Sequence, residues 1–134
     1  MHASSSVLSL YSDHLHCRYL NESSVLHTLR QRYVNNLIQT YAGPSMISIN
    51  PCKNLDIYSD KIRQMFKECK VEDLPPHIYS VGQAAYKNMM TTKKDQSVAF
   101  IGRSGSGKTT NFKHVLTYLS SAGGSANSVL TLER

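Results

Sequence analysis

The chain has 134 residues, 40% of them hydrophobic, enough for one small and largely globular domain. Its 15 Lys and Arg outnumber its 9 Asp and Glu, giving a formal charge of +6, but the cations are scattered, which reads as solvated surface rather than a nucleic-acid patch. Membrane-length apolar runs and signal-peptide patterns are missing, and three widely spaced cysteines (Cys17, Cys52, Cys69) suit reduced cytoplasmic thiols better than disulfides or a zinc site.

Residues 1–14 are a polar, poorly patterned lead-in. His14-Leu15-His16-Cys17 places metal-ligating types close together, but a site would need ligands from elsewhere, so the segment reads as an irregular entry. Residues 21–37 carry a helical period. Asn21 or Ser23 can cap it, and Val25, Leu26, Leu29, Tyr33 and Leu37 form its apolar stripe. Arg30 and Arg32 lie off that stripe and are expected in solvent. Ile38 to Tyr41 and Met46 to Ile49 read as two strands of a hairpin, turned by Ala42-Gly43-Pro44-Ser45. Asn50-Pro51 closes the second strand.

Ser59-Asp60 opens a helix to about Cys69, with Ile62, Met65 and Phe66 on its apolar face. Pro75-Pro76 breaks the chain, and Pro76 can start a helix to about Met90. Its stripe is Ile78, Val81, Ala85 and Met89, and Gly82, Ala84 and Ala85 permit close packing on a sheet. A last helix spans about Lys108 to Leu119 or Ser120, burying Phe112, Val115, Leu116 and Leu119. Residues 120–128 form a flexible, low-complexity loop, and Val129 to Leu132 begin a further strand. Strands alternating with helices predict an α/β layer fold.

Between the last two helices lies the stretch richest in chemistry. The apolar run Ser97-Val98-Ala99-Phe100-Ile101 reads as a strand, and Gly102-Arg103-Ser104-Gly105-Ser106-Gly107-Lys108-Thr109 follows it. This is G-x-x-x-x-G-K-T between strand and helix, the pattern of a phosphate-binding loop. Glycines let backbone N–H groups close around an anion, and the helix start adds further donors. Lys108 can reach the β- and γ-phosphates of a nucleoside triphosphate, and the Thr109 hydroxyl can ligate Mg²⁺. Only a short tail follows Thr109, too little for the loops that hold metal and attacking water, so the chain reads as part of a larger protein.

The order of blocks across residues 15–121 resembles the N-terminal part of a myosin motor domain. Tyr19 to Tyr33 resembles the opening helix of that family, Thr40-Tyr41-Ala42-Gly43-Pro44 its hairpin, and Ile49-Asn50-Pro51 through Ile57-Tyr58 its purine-binding loop. Pro75-Pro76-His77-Ile78-Tyr79, Ala85-Tyr86 and Asp95-Gln96-Ser97 continue the match into the phosphate loop. The resemblance implies an incomplete P-loop NTPase-type layered fold, ATP and Mg²⁺ as ligands, and actin filaments and the rest of the motor domain as partners. It also implies a cytoplasmic, cytoskeleton-associated location.

By the same analogy Asn50, Pro51 and Tyr58 surround adenine, Gly102 to Thr109 hold the phosphates with Ser104 near the γ-phosphate, and Asn111 matches a position just inside the helix. The loop from Ser120 corresponds to one near the nucleotide entrance. Arg103, Ser106 and Thr110 stand where conventional myosins carry Glu, Ala and Glu, and Asp56 replaces a usual Pro. Ser106 to Thr110 and Leu20 to Arg32 look most like the class XVIII unconventional myosins, a class that implies weak or absent ATPase turnover and tethering to actin. Both switch motifs of the family are missing, and no general base or nucleophile can be assigned. An ATP-driven motor and an ATPase-weak actin tether therefore both fit. The phosphate loop taken alone also fits a small kinase or a nucleic-acid translocase.

Overall fold

The computed structural model describes residues 21–70 and 74–123. The lead-in, the His14–Cys17 cluster, residues 124–128 of the expected loop and the strand expected at Val129 to Leu132 lie outside them. The elements in order are α1 (Glu22–Val34), β1 (Gln39–Ala42), β2 (Ser45–Ser48), α2 (Asp60–Glu68), α3 (Ile78–Thr92) and α4 (Lys108–Ala122). They fall into two compact units. One holds α1, the β1–β2 hairpin and the chain to Leu55, with residues 75–77 and 104–107; the other holds α2, α3, α4 and the segment ending at Arg103.

In the first unit, Asn21 caps α1 reciprocally with Ser24. The Asn21 side chain accepts from the Ser24 N–H at 2.9 Å, and the Ser24 hydroxyl accepts from the Asn21 N–H at 3.3 Å. The hairpin is antiparallel, pairing Gln39 with Ser48 and Ala42 with Ser45 across Gly43-Pro44. It starts and ends within a residue of expectation. Gly43 has φ 59°, the left-handed turn conformation that glycine adopts without Cβ strain.

The buried face of α1 corrects the sequence reading. Thr28 and Arg32, one turn apart, are its buried residues, while Leu26 is 65% exposed and Tyr33 and Leu37 are also exposed. Arg32 donates from Nε to the Thr40 hydroxyl at 2.9 Å and from Nη2 to the Gln39 carbonyl at 3.1 Å. A guanidinium satisfied by acceptors on β1 can be buried where an unpaired one cannot.

The second unit has one core: Phe66 of α2, Leu74, Ile78 and Tyr79 of α3, and Val115 and Tyr118 of α4. Ser59 caps α2. Met65 and Met89, expected inside, are exposed, as is Phe112. Gly82 of α3 meets the Tyr118 ring and Val115, so its close packing is against α4 rather than a sheet. Gln83 donates to the Phe66 and Cys69 carbonyls, tying α3 to the end of α2. Helix α4 continues to Ala122, past the point where the flexible loop was expected to begin.

Residues 97–101 lie outside any helix or strand, although the sequence predicts a strand there. Strands exist through hydrogen bonds to neighbours, and among the described residues the only ladder is β1–β2. The described residues thus combine helices with a small antiparallel sheet. The layered sheet of the expected α/β fold is not formed within them.

Candidate functional site

Helix α4 begins at Lys108, directly after the glycine turn. The first amides of a helix have no partner within it, so they are donors for an anion. Gly105 and Gly107 have φ 76° and 89°, values that L residues rarely adopt. A Cβ on Gly105 would meet nothing within 4 Å, so its backbone angle, not crowding, calls for glycine. The Lys108 ammonium curls back over the loop, donating to the Gly102 carbonyl at 2.8 Å and the Arg103 carbonyl at 2.7 Å. Both acceptors are neutral, and a phosphate oxygen is a stronger partner for an ammonium than either. Arg103, Ser104 and Thr109 are exposed; Ser106 and Lys108 are half-buried. Within the second unit, a helix start, an ammonium on weak partners and an exposed hydroxyl at Thr109 can meet an anion.

Of the residues expected around adenine, Asn50 and Pro51 belong to the first unit and Tyr58 to the second. The Asn50 amide is engaged at both ends. Its Nδ2 donates to the Gly105 carbonyl at 2.8 Å, and its Oδ1 accepts from the Cys52 N–H at 3.0 Å. The Pro51 carbonyl accepts from the Tyr33 hydroxyl at 3.3 Å.

Tyr58 stacks on His114 of α4, with centroids 3.7 Å apart and planes 7° from parallel, and its carbonyl accepts from the Tyr79 hydroxyl at 3.0 Å. One face of the Tyr58 ring is thereby occupied by the chain itself. His114 went unnoticed in the sequence, although it stands four residues before Tyr118 and so shares a helix face with that core residue. Burial, with the Arg63 charge a lesser cause, holds the His114 imidazole below its ordinary pKa of 6.5. Burial pushes the Tyr118 phenol up to about 12. It also raises Tyr79, which Arg63 pulls part of the way back.

The myosin head (motor domain) family model matches residues 11–134. The chain belongs to that family. It is also 51% identical over 117 residues to unconventional myosin-XVIIIa of Mus musculus. That alignment covers 87% of this chain and 6% of the mouse protein, so the myosin segment seen here is a small share of its relative's length. Among the described residues no helix is long and apolar enough to cross a membrane.

Proposed function

We propose that this myosin segment is the ATP-binding part of an actin-associated motor, and that the remainder of the motor domain completes its P-loop NTPase-type layered fold. The observation that carries the reading is the G-x-x-x-x-G-K-T loop running into α4 with Lys108 folded over it. In this reading Gly102 to Lys108 hold the phosphates, Thr109 ligates Mg²⁺, and the segment from Asn50-Pro51 to Tyr58 is the one that the family resemblance assigns to the adenine. Mg²⁺ would neutralise phosphate charge, and the protein's part is to bind and orient the triphosphate. Actin contact, and with it a cytoplasmic and cytoskeletal location, rests on family membership and on regions outside this chain; nucleic acid is not a partner in this reading. The test is titration of the full-length protein with a fluorescent ATP analogue, alongside co-sedimentation with filamentous actin. Lys108→Ala is expected to weaken analogue binding at least tenfold, because a charge-assisted contact to phosphate is worth more than about 1.4 kcal/mol. Wild-type protein that binds neither analogue nor actin would end the proposal.

A second reading, an actin tether with little ATP turnover, is favoured by Arg103 and Thr110 and by the identity to unconventional myosin-XVIIIa. Arg103 is exposed within the loop, and its own carbonyl accepts from Lys108. A second cation beside a triphosphate strengthens ground-state binding, which does not speed chemistry unless the transition state gains more. Arg103→Glu in the full-length protein is expected to weaken analogue affinity. Unchanged affinity and unchanged turnover would remove Arg103 from the argument. Phosphate release accelerated by actin would favour the motor over the tether.

A further inference from the structure

We infer that Asn50 is a positioning residue for the phosphate loop, acting through Gly105 rather than by recognising the base; this rests on the ATP-binding reading above. The Asn50 Nδ2 donates to the Gly105 carbonyl at 2.8 Å across 55 residues of sequence, a long-range tie of its side chain. Its Oδ1 accepts from the N–H two residues on, at Cys52, which closes an Asx turn and fixes the rotamer. Cys52 itself has φ 51°, so the turn is tight.

The consequence follows from peptide geometry. The chain has no cis peptide bonds among its described residues. In a planar trans peptide the C=O and the following N–H point in opposite directions. Holding the Gly105 carbonyl toward Asn50 therefore fixes the Ser106 N–H pointing away from Asn50. Gly105 has φ 76° and open space around it, so without this bond little would restrain the rotation of that peptide. Asn50 thus presets one backbone donor of the loop before any phosphate arrives. Preorganised donors need no reordering on binding, which is where their affinity comes from.

The discriminating probe is an anion without a base. Wild-type and variant full-length proteins are titrated with a fluorescent ATP analogue in the presence of Mg²⁺, then competed with inorganic pyrophosphate. Asn50→Ser is the variant of choice: its hydroxyl can still accept from the Cys52 N–H, but is too short to reach Gly105. Asn50→Ala is the second variant. Affinity for pyrophosphate and for the analogue is expected to fall by the same factor, roughly three- to tenfold, as for one lost hydrogen bond that orders a loop. A loss confined to the analogue, with pyrophosphate unchanged, would make Asn50 a base contact and overturn the proposal. No loss for either ligand would overturn it too. If wild-type protein bound neither ligand, the ATP-binding reading itself would have failed, an outcome separate from both.

Discussion

The Arg32 guanidinium is buried to 2% exposure and lies against Thr40, which is 1% exposed, and the Gln39 carbonyl. Replacing it with Ala strips partners from two buried acceptors, at a cost of about 2–4 kcal/mol. Arg32→Lys should recover little, since an ammonium cannot serve both acceptors in the planar fork geometry. The measurement is hydrogen exchange of the β1 and β2 amides in the full-length protein. Protection should drop in both variants, and unchanged protection would make the buried pair dispensable. Sequence reading expected Arg32 in water because periodicity scores a cation as polar wherever it falls. It has no means of seeing that the fork meets acceptors seven and eight residues on, across a turn. At Tyr58 the resemblance implies a ring beside a purine; its stacking on His114 was not legible, because that partner is distant in sequence and emerges only once α4 is folded. The G-x-x-x-x-G-K-T motif was legible because it is contiguous: spacing alone names Gly102, Gly107, Lys108 and Thr109.

Helix positions were the most readable elements, since caps and periods are local. Asn21 and Ser59 start α1 and α2 as their side chains dictate, and α4 starts at Lys108. Which face each helix buries was less readable, because that depends on the neighbour. The pairing of α3 with α4 decides it for both: Gly82 admits Tyr118, whose ring also stacks on Tyr79 at 5.5 Å. A Cβ on Gly82 would sit 3.0 Å from the Tyr118 Cδ1 and 3.6 Å from the Val115 Cγ1. Alanine gains about 1 kcal/mol in helix propensity over glycine, and overpacking a filled core costs about 1–3 kcal/mol. Tyr118 is 1% exposed and its hydroxyl donates to the Phe66 carbonyl at 3.4 Å, so the ring has little room to give. Overpacking should win. Gly82→Ala is expected to reduce hydrogen-exchange protection in α3 and α4, and Gly82→Val to reduce it further; a gain in protection with alanine would show that the helices separate at no cost.

At the scale of the whole molecule, the informative stretch is the one before the phosphate loop. Val98 is 36% exposed and Ile101 92% exposed, in a run whose β propensity is high and which has no ladder partner among the described residues. Phe100 alone is anchored, packed against the second core and edge-on to Phe112 with centroids 6.0 Å apart. Apolar residues on an unpaired strand edge invite association with other chains. Expressed by itself, the 134-residue chain is therefore expected to aggregate or to fold only in part. In the full-length protein the amides of Val98 to Ile101 should exchange slowly, because a sheet built from the rest of the motor domain would pair them. Two measurements check this: sedimentation of the isolated chain, and exchange at residues 98–101 in both forms. A monomeric chain with one cooperative thermal transition, and equally fast exchange of those amides in the full-length protein, would mean that the stretch stays unpaired and that the chain folds without neighbouring strands.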